Sequence, residues 1–280
     1  MRVLVATGAG ERTDPDAPLL LEALAEEGLE ARLAVWDDPS ETWDDALVVI
    51  RSTWDYPARP EAFLAWARGV ARLLNPYPVV AYSSDKHYLL DLARRAVPVV
   101  ESHVVEVGDT PTLPEGDLVV KPVVGAGSID AARYRPEERT AALAHVARLQ
   151  RAGRAVLVQP YVASVDVEGE TAVVLIDGEV THLMRKGAML NTDEGRRSAR
   201  FRLEQMSLAA RDAALEGLAR DVVAAVADLA EEPLLYARVD FVRTDAGWAV
   251  LELELVEPSL FLGFHPPAAR RLAAAVRARL

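Results

Sequence analysis

The sequence predicts a mixed fold of the α/β and α+β classes, in which a small open α/β domain precedes a region of antiparallel strands. The first 80 or so residues alternate short apolar strands with amphipathic helices, which is the pattern of a sheet covered by helices. Later apolar strands are joined by short turns, as hairpins require. With 280 residues, of which 51% are hydrophobic, the chain is long enough for two or three domains with large cores.

The elements of the first segment follow from apolar runs and the residues that interrupt them. A helix over 18–27 carries Leu19, Leu20 and Leu24 on one side and ends at Gly28. A second helix is predicted over 61–74, and strands are predicted at 2–6, 30–35, 46–51 and 79–81. Ligands bind at the carboxyl ends of strands in such sheets. We therefore predict that the block after the third strand contacts the substrate, namely Arg51, Ser52, Thr53, Trp54 and Asp55.

The remaining elements divide the chain further. Two strands at 170–176 and 179–184 flank an Asp177-Gly178 turn and predict a hairpin. The polar, arginine-rich segment 187–202 predicts a mobile loop. Helices are predicted at 84–96, 136–150, 208–229 and 268–280, and further strands at 118–122 and 155–160. We expect three domains, over residues 1–84, 85–160 and 161–280.

Composition excludes several classes of function. The formal net charge is -12, which argues against binding to nucleic acid or to an anionic membrane surface, because both need a basic protein surface. The absence of cysteine excludes disulfides, thiol nucleophiles and cysteine metal sites. The N-terminal strand lacks the pattern of a signal peptide, and no apolar run is long enough to span a bilayer. We expect a cytoplasmic protein.

An acidic hairpin near the C-terminus carries the clearest chemical signal. Arg238 and Asp240 alternate with apolar residues on one predicted strand, and Glu252 and Glu254 do so on the next. The intervening turn makes the strands antiparallel neighbours, so three carboxylates converge on one face. Carboxylates at close range repel each other, and a hard divalent cation such as Mg²⁺ removes that repulsion. On the hairpin alone, a polar sheet face with Arg238 pairing the acids is an equally good interpretation.

Two lysines and a glycine loop indicate a phosphate site. Lys121 closes a strand and precedes a loop containing Gly125, Gly127 and Ser128, whose backbone N–H groups could approach phosphate oxygens. Taken alone, this is equally an ordinary exit from a strand. Lys86, near the start of a predicted helix, is unfavourable for the helix dipole, so an anionic ligand would explain it. A solvated lysine is the alternative.

The segment around Gln159 is a candidate for binding a flat base. Gln159, Tyr161 and Val162 end a strand at Pro160, which limits ladder pairing and leaves backbone groups free. Asp166 or Glu170 could accept hydrogen bonds from ribose hydroxyls. A hinge with solvated acids is the alternative. Several basic residues could hold a phosphate or a substrate carboxylate, though most should be solvated: Arg51, Arg185, Lys186, Arg197, Arg200 and Arg202.

In their order along the chain, these motifs resemble the ATP-grasp superfamily, whose members are similar to glutathione synthetase, the ribosomal S6 modification ligases and D-alanine–D-alanine ligase. The resemblance implies an ATP-grasp fold behind an N-terminal α/β domain, with a lid subdomain over 85–160 and the metal site in 161–280. It implies ATP with Mg²⁺ (or Mn²⁺) as cofactors, and that Lys86 and Lys121 hold phosphates under the loop of Gly125, Gly127 and Ser128. It also implies that Gln159, Tyr161 and Val162 bind adenine, and that Glu170, with Asp166 as competitor, binds ribose.

The same resemblance assigns the acidic hairpin. It implies that Asp240, Glu252 and Glu254 bind the metal and that Arg238 lies near the transferred phosphate. The usual final motif is Glu-x-Asn, so Glu254 departs from it, and Glu257 is a candidate for facing the substrate. The blocks around Trp54 and Glu257 resemble a subgroup that includes an O-ureidoserine cyclo-ligase.

The function expected from this resemblance is an ATP-dependent ligase that activates a carboxylate as an acyl phosphate for attack by an amine. The substrate would be a small amino-acid-like molecule, and a homodimer is compatible with the resemblance. Two alternatives stay open at this point. One is intramolecular ring closure by a cyclo-ligase of the O-ureidoserine type, and the other is a nucleotide-binding regulatory module without turnover.

Overall fold

The computed structural model of the protein describes residues 2–9, 14–188 and 206–280. Over these residues the chain forms three sheets, and each falls within one of the three segments predicted as domains. The domain boundaries themselves stay a prediction. Arg197, Arg200 and Arg202, and most of the segment predicted as a mobile loop, lie outside the described residues.

The first sheet is parallel, with strand order β2-β1-β3-β4. Its strands are β1 (Arg2–Thr7), β2 (Glu30–Val35), β3 (Ala46–Ser52) and β4 (Leu73–Leu74), and its helices are α1 (Ala17–Glu26), α2 (Pro60–Gly69) and α3 (Tyr77–Ser83). The predicted fourth strand at 79–81 is wrong, because these residues lie in α3. Val79 and Val80 are buried there as helix residues, and so short an apolar run has no period that separates helix from strand.

The second sheet is antiparallel, with order β5-β8-β6-β7. It contains β5 (His103–Val105), β6 (Leu118–Pro122), β7 (Ala132–Tyr134) and β8 (Val156–Pro160), and α5 (Arg139–Arg151) packs on it; α4 (Tyr88–Arg94) precedes it. The helix predicted over 84–96 is therefore shorter, and Lys86 lies in the turn before it. The Asp85 carboxylate accepts a hydrogen bond from the His87 N–H at 2.9 Å, which competes with helical pairing.

The third sheet is antiparallel, with order β11-β10-β9-β12-β13. Its strands are β9 (Glu170–Ile176), β10 (Glu179–Lys186), β11 (Met206–Ala209), β12 (Tyr236–Thr244) and β13 (Gly247–Glu254), and the helices are α6 (Val165–Glu168), α7 (Ala213–Ala224) and α8 (Pro267–Ala278). The predicted helix over 208–229 begins too early. Asp212 caps α7 by accepting hydrogen bonds from two N–H groups at 3.0 Å, so the preceding residues are free to pair with β10.

The first and third sheets share a core, which fixes their relative position. Val3 and Val5 of β1 pack in one apolar cluster with Val174 of β9 and Leu272 of α8. Asn75 adds polar anchors: its side chain donates to the carbonyls of Tyr236 at 2.9 Å and Leu255 at 2.7 Å, and accepts from the Leu235 N–H at 2.9 Å. Because this buried amide uses both its donor and its acceptor groups, it favours one packing arrangement of the first sheet against the third. None of the helices in the described ranges is long and apolar enough to cross a membrane.

Candidate active site

A cavity of about 730 Å³ lies where the three sheets meet. The first segment contributes Trp54 and Tyr56 to its wall, and the second and third contribute charged side chains and a glycine loop. The sequence-predicted residues that line it are Trp54, Lys86, Lys121, Gly125, Gly127, Ser128, Gln159, Tyr161, Val162, Glu170, Arg238, Glu252, Glu254 and Glu257. Residues far apart in sequence therefore share one pocket.

The acidic hairpin is antiparallel and brings its acids together, as predicted, with a register shift between Asp240 and Phe241. Arg238 lies opposite Glu254 and Asp240 opposite Glu252. Asp240, Glu252 and Glu254 each place a carboxylate oxygen within 4.8 Å of the others. The Arg238 guanidinium donates to both oxygens of Asp240, at 2.9 and 3.0 Å, and also pairs with Glu254. The acids therefore cluster as a metal site requires, and Arg238 pairs with two of them; the metal assignment itself stays a prediction.

The three acids have different proton affinities. Burial opposes ionisation of Asp240, but Arg238 and Lys186 hold its pKa below the usual value. Glu252 is half-buried, which opposes its ionisation, but Lys121 and Lys86 lower its pKa. The pKa of Glu254 is raised to about 7, because burial and the neighbouring Asp240 and Glu252 outweigh Arg238. Of these three acids, Glu254 is the one at which a divalent cation would compete with a proton near neutral pH.

Lys186 is a site residue whose position the sequence pattern did not single out from the other basic residues. Its ammonium lies 2.6 Å from Asp240 Oδ2 and 2.7 Å from Glu170 Oε2, and the side chain is buried against the cavity. Burial disfavours its charge, yet Asp240 and Glu170 raise its pKa. Lys186 lies directly opposite Glu170 in the hairpin of β9 and β10, but a register shift between Val180 and His182 hides this pairing from counting along the sequence.

The two lysines predicted to hold phosphates both reach the cavity. The Lys121 ammonium pairs with Glu252 Oε1 at 2.8 Å. The Lys86 ammonium donates to the Gly125 carbonyl at 2.9 Å, and its backbone N–H donates to the Val123 carbonyl at 3.1 Å. Burial, with Lys121 nearby, lowers the pKa of Lys86. Lys86 therefore ties the turn before α4 to the glycine loop.

The glycine loop follows β6 and lines the cavity. Gly127 has φ of 62° and Ser128 has φ of 58°, so two successive residues are left-handed. Such a conformation favours glycine and turns backbone groups toward a common concavity. A Cβ at Gly125 would lie 3.0 Å from the Pro122 side chain. The loop shape thus depends on its small residues.

The two candidates for binding ribose, Asp166 and Glu170, differ in their position relative to the cavity. Asp166 accepts hydrogen bonds from Tyr161 at 2.6 Å and from Arg133 at 3.0 Å, and it does not line the cavity. Glu170 does line it. The Gln159 side chain donates to Ser102 at 2.9 Å, and the Arg133 guanidinium stacks 3.5 Å from the centroid of the Tyr161 ring.

Of the block after β3, only Trp54 among the predicted substrate residues lines the cavity. Arg51 is 0% exposed; it donates to the Pro258 carbonyl at 2.9 Å and lies 3.8 Å from Asp14. The other three are turned away from the cavity as well: Ser52 bonds the Thr7 hydroxyl at 2.8 Å, Thr53 is buried, and Asp55 accepts from the Trp36 indole at 3.1 Å. These four side chains support the wall behind Trp54 and do not contact the cavity as predicted.

Glu257 lines the cavity beside this wall. The Trp54 indole N–H donates to the Glu257 carbonyl at 3.1 Å, so the two domains meet at this residue. Burial and the charge of Glu254 raise the pKa of Glu257 to about 8, against the opposing charge of Lys86.

Comparison with known proteins agrees with this geometry. Residues 3–75 match the model of the D-cycloserine synthetase DcsG N-terminal domain. The chain is 38% identical to the cycloserine biosynthesis protein DcsG of Streptomyces lavendulae over 99% of this chain and 98% of that protein. The protein belongs to the DcsG family of ATP-grasp ligases. The crystal structure of D-cycloserine synthetase DcsG matches with a TM-score of 0.93 and 37% identity, covering 100% of both chains.

More distant ATP-grasp structures share the fold with this DcsG-family chain. A RimK domain protein from Sphaerobacter thermophilus has a TM-score of 0.65 at 20% identity, covering 98% of this chain and 100% of that one. D-alanine–D-alanine ligase from Bacillus anthracis has a TM-score of 0.67 at 14% identity, covering 100% and 98%. The predicted ATP-grasp fold and the predicted class, an ATP-dependent ligase, are confirmed.

Proposed function

We propose that this ligase closes a ring in a single amino-acid-like substrate, joining the carboxyl carbon to a nitrogen of the same molecule at the expense of ATP. One observation carries the proposal: the similarity to a cycloserine biosynthesis protein extends over 99% of the chain. That similarity includes the N-terminal domain, which places Trp54 and Tyr56 on the cavity wall. Ligation of two separate molecules is the second candidate.

In the proposed reaction, the substrate carboxylate attacks the γ-phosphorus of ATP, which gives an acyl phosphate and ADP. The substrate nitrogen then attacks the acyl carbon, and phosphate leaves from the tetrahedral intermediate. Lys86 and Lys121 hold phosphate oxygens, and Arg238 stabilises the negative charge that develops on the reacting oxygens. Such catalysis consists mainly of positioning and charge neutralisation.

The acidic hairpin fits Mg²⁺ or Mn²⁺. Asp240, Glu252 and Glu254 supply only carboxylate oxygens, which is the donor set of a hard cation, and they lie within 4.8 Å of one another. The ion would neutralise charge on the transferred phosphoryl group. In the described residues Lys121, Lys186 and Arg238 pair with these acids, so the same cations are close enough to turn toward phosphate oxygens when a metal takes the carboxylates.

The nucleotide would lie between the second and third sheets. Gln159, Tyr161 and Val162 are proposed to bind adenine, and the loop of Gly125, Gly127 and Ser128 is proposed to cover the phosphates. Glu170 is the better ribose ligand than Asp166, because Glu170 lines the cavity and Asp166 does not. Trp54 and Glu257 face the substrate end. The proposed contribution of Arg200 and Arg202 stays a prediction.

Release of ADP with one organic substrate tests the proposal. With ATP and Mg²⁺, O-ureidoserine alone should yield ADP together with a cyclic product found by mass spectrometry. Dependence of ADP release on a second amine would establish the two-substrate ligation instead. ATP binding without ADP release for any amino acid tested would contradict both candidates and favour a regulatory module.

Two neutral variants test the metal assignment. Asp240→Asn and Glu252→Gln should each lower kcat by at least about 100-fold, the scale of losing one group that stabilises transition-state charge. Asp245→Asn, at the turn of the same hairpin and outside the cavity, is the matched control and should keep wild-type activity. Full turnover by both neutral variants would show that the metal assignment is wrong.

A further inference from the structure

Glu257 differs from the other carboxylates on the cavity wall. Within the described ranges, three lining carboxylates have a cation as partner: Glu170 pairs with Lys186 at 2.7 Å, Glu252 pairs with Lys121 at 2.8 Å, and Glu254 pairs with Arg238. The Glu257 carboxylate has no ion pair and no hydrogen bond to the side chain of any other described residue; it accepts a hydrogen bond from its own backbone N–H. Its backbone is nevertheless fixed, because its carbonyl accepts the Trp54 indole N–H at 3.1 Å.

The position of Glu257 is also distinctive. It follows the last acid of the hairpin, Glu254, by three residues and lines the same cavity as Tyr56 of the first segment. Lys86 lines the same cavity and contributes a positive charge that lowers the pKa of Glu257. Glu257 therefore stands between the acidic cluster and the aromatic wall of Trp54 and Tyr56, where the phosphate end of the cavity gives way to its substrate end.

The chemistry of an α-amino acid matches this placement. Its ammonium is attached to the carbon next to the carboxylate, so when the carboxylate faces the phosphate end, the ammonium must lie within a few ångströms of it. The lysines and Arg238 would repel an ammonium there. A half-buried carboxylate without a cation partner is partly desolvated at a cost, and a bound cation relieves that cost.

We propose that Glu257 binds the protonated α-amino group of the substrate and makes the enzyme select α-amino acids over plain carboxylic acids. This inference rests on the proposed function, since it assumes that the substrate carboxylate is the group that is activated. It assigns Glu257 to substrate recognition and leaves metal and nucleotide binding to the residues around it.

The test compares two ligands on two proteins. Calorimetry in the presence of a non-hydrolysable ATP analogue and Mg²⁺ would measure the Kd of O-ureidoserine and of its analogue without the amino group, 3-(ureidooxy)propanoate. Glu257→Gln should raise the Kd of O-ureidoserine by about 10-fold to 100-fold, the scale of a hydrogen bond to a charged group. The Kd of the analogue and that of the nucleotide should stay within about twofold.

A control and the remaining outcomes separate the two proposals. Glu231→Gln, at an exposed glutamate outside the cavity, should change neither Kd. Equal weakening of both ligands in Glu257→Gln, or weaker nucleotide binding, would overturn the role of Glu257 while the proposed reaction stands. Tight binding of O-ureidoserine without turnover would contradict the reaction alone, and no binding to the wild type would overturn both.

Discussion

Replacement of Lys186 by methionine should destabilise the ligand-free protein strongly. The Lys186 ammonium is the shared partner of Asp240 at 2.6 Å and Glu170 at 2.7 Å, and Asp240 is only 1% exposed. Removing one member of a buried ion pair costs roughly 3–5 kcal/mol, because the remaining charge stays buried. Arg238 still compensates Asp240, so we expect the lower end, about 3 kcal/mol.

The assay is thermal unfolding with and without Mg²⁺. A loss of about 3 kcal/mol lowers the Tm of a chain of this size by about 6–12 °C. Mg²⁺ should restore more stability to Lys186→Met than to the wild type, because the ion supplies the positive charge that the variant lacks. Arg185→Met is the matched control, since the neighbouring Arg185 is exposed and should have little effect. A Tm within about 1 °C of the wild type would refute the assignment of Lys186 as the cation that holds these acids together.

Two further predictions concern pH. The pKa of Glu254 is about 7 in the ligand-free site, so protons compete with metal there. The affinity for Mn²⁺ without nucleotide should therefore rise about tenfold from pH 6 to pH 8. Glu254→Asn should remove this rise, and an unchanged pH dependence in that variant would contradict the role of Glu254. Burial, with His265 and Arg211 nearby, lowers the pKa of His182 to about 4. The unfolded chain therefore binds more protons than the folded one as pH falls from 6.5 towards 4, and about 2 kcal/mol of stability should be lost at pH 5. The free energy of unfolding of His182→Phe should fall less between pH 7.5 and pH 5 than that of the wild type. An equal fall would show that another group is responsible.

The acidic hairpin was predictable because its signal is local. Alternation along two adjacent strands predicts which side chains share a face, and this is enough to bring the acids together, although a register shift between Asp240 and Phe241 means that counting from the turn does not give the pairing of Asp240 with Glu252. Lys186 has no such local signature. Its partner Glu170 lies on the same hairpin, but the register shift after Val180 changes the count, and its second partner Asp240 comes from a strand that is distant in sequence.

Arg51 does not line the cavity, for a related reason. The carboxyl end of β3 does approach the cavity, as the rule for open sheets requires. Arg51, however, turns toward Asp14 and the Pro258 carbonyl, and among the five residues predicted from Arg51 to Asp55 only Trp54 reaches the cavity wall. The alternation of apolar residues and the position along a strand predict which edge of the sheet a residue lies at. They do not predict where a long side chain points, because its partners come from residues that are distant in sequence.

The extra acid at Glu254 becomes intelligible once Lys186 is included. The acids of the site and the cations paired with them form one cluster of four carboxylates and three cations. Its members are Glu170, Asp240, Glu252 and Glu254 with Lys121, Lys186 and Arg238. With all groups ionised its net charge is -1, and with asparagine at Glu254 it would be neutral. The raised pKa of Glu254 indicates which of these carboxylates is the least stabilised by its neighbours in the ionised form. Glu254 is therefore the acid with most to gain from a metal, which is why its replacement by asparagine should change metal binding more than it changes folding.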